Sequence, residues 1–351
     1  MTSGPVPAPR GHGWWRVVAA LAAFVLLPHV PGLPSVLPVV DTLVLLVPAL
    51  AACCVVGWLE GGSLMLALLW SALAAWIFML PTPPGDGAAY YDLARGWGLI
   101  MAGAFGVMCL TGRGRPFLPR ALSALGLALL LSLVLIASGR LEPSGAQRVF
   151  TAEFDARNSA ATMAMQESAR IIGERLPSTA AVASEIVTQR IQLQQLLSRG
   201  AAPLFPAILA LEGLMACALA WSVYHRISRV RIGETLAPLK RFAFGDQLVW
   251  ALVVGITLLL LPTLSPLGTV GLNLLLFFGA LYVLRGYGIF AWFVSRRVAV
   301  TSIGLAIVTF PLSLATLPAA LGLGLSDTWL DWRSRVVLPP PPPGAGRRPK
   351  S

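Results

Sequence analysis

The stretch Asn273–Arg297, NLLLFFGALYVLRGYGIFAWFVSRR, decides the fold. Between its polar ends it runs apolar for longer than the roughly 18 residues that mark a membrane-spanning helix, interrupted by a single charge, Arg285. Lipid offers backbone N–H and C=O groups no partner, so such a run is predicted to be helical. Arg296 and Arg297 mark a membrane edge. At about 1.5 Å per residue, Arg285 then lies roughly 16 Å deep, near mid-bilayer. Facing lipid there costs at least about 2.5–3.5 kcal/mol, so Arg285 is expected to point into a helical bundle.

The pattern repeats along the chain. Of its 351 residues 56% are hydrophobic and only 12% charged, about half the charge of a soluble domain. Apolar segments are predicted at Val17–Leu27, Leu37–Leu59, Ser63–Leu80, Gly96–Leu110 and Leu118–Ala137. After a polar insertion come Ala202–Val223, Leu248–Leu264, Val270–Val294 and Val298–Leu325. The expected fold is therefore all-α, a polytopic α-helical membrane protein of about eight or nine membrane segments with a helical polar insertion. The chain divides into an N-terminal bundle (1–138), the insertion (139–201), a C-terminal bundle (202–325) and a juxtamembrane segment with a proline-rich basic tail (326–351).

The net charge of +11 is carried by short loops beside apolar runs, which argues for a membrane face and against a nucleic-acid groove. Arg113, Arg115 and Arg120 share one loop; Arg226, Arg229, Arg231, Lys240 and Arg241 share another. The alternate loops are nearly free of Lys and Arg. The positive-inside rule puts the basic loops and the N-terminus in the cytoplasm of a multi-pass cell-membrane protein. The five cations from Arg226 to Arg241 are expected to contact anionic lipid. Nine spans put the C-terminus outside despite its basic tail, so either that tail is exported or one segment, Leu37–Leu59 or Val298–Leu325, turns back within the membrane.

The insertion balances arginines against acids, and Pro177-Ser178-Thr179 is predicted to break it into two helices. In the second, Val182, Ile186, Leu193 and Leu197 form one stripe, suited to packing over the membrane domain or to docking a partner. The four cysteines lie in apolar runs and read as buried thiols. No catalytic set, metal-ligand spacing or nucleotide loop occurs, so no enzyme, metal or cofactor is expected. A second intramembrane charge is Glu212, roughly 21 Å of helix from Arg226. Arg285 and Glu212 are expected to pair, as a structural ion pair or as part of a ligand pocket, with Asn273 at a second polar level nearer the outer end of the Arg285 helix.

The stretches PLFPAILALEGLMACALAWSVYHRI, NLLLFFGALYVLRGYGIFAWFV and GLGLSDTWLDWRSR, in that order, resemble the YybS-like family of predicted bacterial membrane proteins, a domain of unknown function. That family is itself similar to substrate-binding subunits of energy-coupling-factor vitamin transporters. The resemblance implies a bacterial inner-membrane protein that binds or moves a small solute, with other membrane subunits and a separate ATPase as partners. It also implies a partner-docking small-residue stripe on the first helix, where Ala19 and Ala23 have the spacing. The alternative is a membrane scaffold that organises other proteins and needs no pocket.

Overall fold

The computed structural model describes residues 14–30, 32–82, 87–112, 115–139, 143–175, 180–297 and 313–335. Every extended element among them is helical, with no strand. The helices are α1 (Trp14–Leu26), α2 (Leu43–Leu59), α3 (Leu64–Met79), α4 (Ala88–Thr111), α5 (Phe117–Ala137), α6 (Pro143–Arg175), α7 (Ala180–Ile227), α8 (Val249–Leu260), α9 (Gly268–Arg297), α10 (Ser313–Leu330) and the short α11 (Trp332–Arg335). Among the described residues four stretches are long and apolar enough to cross a membrane: Ala88–Thr111, Phe117–Ala137, Arg199–Ile227 and Pro262–Phe293. The apolar helices α2, α3 and α8 are shorter. Large apolar side chains face outward along α3 (Met65, Leu68, Trp76), α5 (Leu130, Leu133) and α8 (Trp250, Leu260). Lipid accepts such surface, whereas water makes patches this extensive costly.

The chain forms two compact units. One takes the described residues through Leu236 together with Pro266–Phe277; the other takes Ala237–Ser265 and the described residues from Phe278 onward. The units do not part at the divisions expected after residues 138, 201 and 325: the described residues before and after 138 and 201 fall in one unit, and those before and after 325 in the other. The turn expected at residues 177–179, much of the segment Val298–Leu325 and the proline-rich tail lie outside the described residues.

In the first unit α2 is the central helix, packed against α3, α4 and α7. Helices pack this closely where a small residue faces a neighbour. A Cβ built on Gly98 of α4 falls 2.7 Å from the Val44 carbonyl oxygen, and one on Gly57 falls 2.0 Å from the Tyr224 hydroxyl. α6 and the first half of α7 form an antiparallel pair. The α6 end near Phe150 is anchored, with Phe150 and Phe154 buried around Tyr90. Farther along the pair, Met163, Ile172, Ile186, Leu193 and Leu196 are exposed. Ile186 and Leu193 of the predicted stripe therefore do not cover a core.

Arg120, read from sequence as a surface loop cation, is 1% exposed. Its guanidinium lies over the Trp221 ring at 4.8 Å. It donates to the carbonyls of Ile232 (3.0 Å), Gly112 (2.8 Å) and Arg115 (3.0 Å). His225 adds contacts to the carbonyls of Trp221 and Gly233. These hold the loop after α7 onto the ends of α4 and α5. Arg226, Arg229 and Arg231 stay exposed on the first unit, as do Lys240 and Arg241 on the second.

Candidate functional site

Glu212 sits near the middle of the apolar stretch Arg199–Ile227 and is 7% exposed. Its Oε2 accepts the Val39 amide N–H at 3.1 Å, while its Oε1 is enclosed without a hydrogen-bond partner. Val39 belongs to the irregular segment between α1 and α2. The sequence predicted a helix from Leu37, but α2 begins only at Leu43. Pro34 and Pro38 lack the N–H a helix needs, and Pro38 is fully buried.

The same segment is held from its other side. Arg157 of α6 donates to the carbonyls of Pro34 (3.2 Å) and Leu37 (3.0 Å). It is paired with Glu153 at 2.7 Å and lies over the Tyr90 ring at 4.6 Å. Thr42 closes the segment by donating to the Phe24 carbonyl at 3.2 Å. Backbone that forms neither helix nor sheet must find its partners elsewhere. The segment's own turns satisfy part of its backbone, and Arg157 and Glu212 take three further groups, so the segment is a plug held by both side chains. On α4 the Tyr90 hydroxyl and the Trp97 indole N–H, one helical face seven residues apart, are also buried without partners. Trp97 Nε1 lies 3.5 Å from a Cβ built on Gly213, the residue after Glu212.

Asn273 does a different job in the same unit. Pro203 and Pro206 lie inside α7, where neither can donate to the helical ladder; the next rung in a regular ladder pairs the Ala207 N–H with the Pro203 carbonyl. The Asn273 amide bridges these two groups, Oδ1 accepting from Ala207 and Nδ2 donating to Pro203, both at 2.8 Å. Nδ2 also donates to the Thr269 carbonyl of its own helix.

Arg285 belongs to the second unit, and its partners correct the expected pairing with Glu212. Its Nε donates to Asp327 Oδ2 at 2.9 Å and its Nη1 contacts Asp246 Oδ1 at 3.2 Å, with the Phe244 ring 5.2 Å from the guanidinium. Asp327 is 4% exposed. Its second oxygen accepts the Trp332 amide at 3.1 Å, so both oxygens of the carboxylate are bonded. Depth along each helix suggested Glu212, but depth does not say which side chains face one another. What brings Asp327 to Arg285 is a close crossing of α9 and α10: a Cβ on Gly286 would lie 1.8 Å from the Ala320 carbonyl oxygen, and one on Gly324 2.0 Å from that of Tyr282.

Ala19 and Ala23 are exposed on α1, on the face opposite buried Val17 and Phe24. Three side chains of these contacts escaped the sequence reading. Asp327 was visible only within the GLGLSDTWLDWRSR stretch, and Arg157 was one of many balanced charges in the insertion. Tyr90 sits where the sequence reads as a loop, because its helix starts eight residues earlier than the apolar run. No family model, curated protein or solved structure matches the chain.

Proposed function

We propose that this chain is a multi-pass membrane protein of about eight or nine segments, N-terminus in the cytoplasm, acting as a small-solute transporter or as the substrate-binding subunit of one. We group it with the YybS-like proteins that its sequence resembles. The observation that carries the reading is the plug: irregular backbone set against the middle of an apolar α7 stretch, gripped by Arg157 and Glu212. At hydrocarbon depth such backbone is tolerated only where protein buries it or where it lines a cavity. Transporters place substrate groups at interrupted segments near the midplane for this reason. The unpartnered Glu212 Oε1, Tyr90 hydroxyl and Trp97 N–H are groups that a polar solute satisfies on entry.

The test is native mass spectrometry of the full chain released from mild detergent. The expected result is a non-lipid adduct of small mass on the wild type, depleted in Arg157→Leu, which frees the plug on one side. Bare protein, or an adduct indifferent to Arg157→Leu, overturns the proposal.

A scaffold is the second reading, favoured by one observation. The α6–α7 pair presents Met163, Ile172, Ile186, Leu193 and Leu196 to the outside. Apolar residues repeated along a polar helical pair suit a docking helix.

A further inference from the structure

We propose that Glu212 is a proton-binding site: its carboxyl takes a proton from solvent at Oε1 and holds it in the interior of the first unit. The inference goes beyond solute transport and needs no carried solute, so each can fail without the other.

The geometry is that of a half-satisfied carboxyl. One oxygen has the Val39 amide; the other is enclosed and has nothing. An ionised carboxylate needs partners on both oxygens or a facing cation, and without them its burial is far more costly than that of the neutral acid. The ionisable groups around it do not supply the charge. From α6, Arg157 is the cation that holds the same plug. That guanidinium already carries Glu153 on Nε and two plug carbonyls on Nη1. From α4 come Tyr90, neutral and itself unpartnered, and the Trp97 indole. The plug contributes an amide N–H, and Gly213 beside Glu212 contributes no side chain.

This set also selects the cation. A metal ion takes several oxygen ligands at once. Around Glu212 the unpartnered or engaged groups include two N–H donors, which repel a metal ion, and no second carboxylate free of a partner. A proton needs only the one oxygen. Uptake converts carboxylate and a proton from water into a carboxylic acid with a new O–H bond at Oε1; release reverses it, and no other group changes charge.

Infrared difference spectroscopy of the full-length protein in lipid nanodiscs tests this directly. At neutral pH the exposed acids are ionised, so a protonated carboxyl stands out by its C=O stretch. The expected result is such a band in the wild type that shifts on exchange into heavy water, disappears on alkalinisation and is missing in Glu212→Gln. A wild type without the band, or a band that survives in Glu212→Gln, overturns the proposal. A band that replaces carboxylate absorption only when sodium is withdrawn also overturns it, since the site is then a metal-ion site. If Glu212→Gln does not fold, the wild type decides: dicyclohexylcarbodiimide, which reacts with protonated carboxyls in apolar surroundings, should modify the peptide holding Glu212 at neutral pH and lose it as pH rises. A Glu212 peptide unmodified at every pH is then the overturning result.

Discussion

Arg285 and Glu212 are both ionisable groups inside apolar helices, and they differ in how completely they are met. Arg285 is bonded to buried Asp327, whose other oxygen holds the Trp332 amide. Removing one partner of a buried pair leaves the other charge uncompensated, typically at about 3–5 kcal/mol. Arg285→Ala and Asp327→Ala are each expected to destabilise by that order, and the double variant to recover part of the loss in a cycle of detergent melting temperatures. Strictly additive losses would show that the two do not meet. Asp246→Ala should change little, about 0–1 kcal/mol, since that carboxylate is 61% exposed. A milder, pH-dependent effect belongs to α6. Hydrogen bonding from Arg170 holds the Glu167 carboxyl below its ordinary range. A carboxyl lowered by folding supports the fold above its unfolded titration and loses that support as pH falls through the lowered one. Protection of the α6 amides, that is, their exchange relative to an unstructured chain at the same pH, should therefore fall on acidification, and Glu167→Gln should reduce that change in protection. Protection with the same pH profile in both proteins would refute the assignment.

At the scale of elements, two devices hold helices where proline and glycine intervene. In α7, beside its two prolines, the Ala207 N–H and the Pro203 carbonyl are bridged by Asn273. Asn273→Leu keeps the bulk and strands both groups, each worth about 1–3 kcal/mol when buried. Its melting temperature should fall accordingly, while Asn273→Asp, which keeps the acceptor but sets a carboxylate against the Pro203 and Thr269 carbonyls, should be no better. An Asn273→Leu protein as stable as wild type would mean that the bridge is dispensable. In the second unit the α9–α10 crossing leaves no room for a methyl group at Gly286 or Gly324. Overpacking costs about 1–3 kcal/mol or more when the obstacle is backbone. Gly286→Ala and Gly324→Ala should both destabilise, and Gly279→Ala on the same helix, where nothing lies within 4 Å of the added carbon, should not. Equal effects at all three positions would point to helix propensity instead of the crossing.

For the whole molecule, the distribution of arginine predicts sidedness. Cysteines introduced at Gln192 and Thr235 should label from opposite faces of oriented vesicles; labelling of both from one face overturns the topology. The exposed Arg229, Arg231 and Lys240 are expected to retain anionic lipid, so their joint replacement by glutamine should lower the acidic lipid that copurifies. The all-helical class, the apolar outward faces and the helical insertion were legible in the sequence, because lipid and water each impose a composition that any single helix must satisfy alone. Glu212, Asn273 and Arg285 were legible as anomalies for the same reason: a polar group in an apolar run stands out without knowledge of its neighbours. Which groups answer them was not legible. Asp327 meets Arg285 because two glycines let α9 and α10 touch, and Asn273 meets Ala207 beside the two prolines of α7. The Val39 amide meets Glu212 because prolines keep residues before Leu43 out of the helix. Each partnership joins positions far apart in the chain, and spacing along one helix carries no information about the helix packed beside it. Tertiary structure alone decided those pairings, and with them the difference between a carboxylate bonded at both oxygens and a carboxyl left with one open.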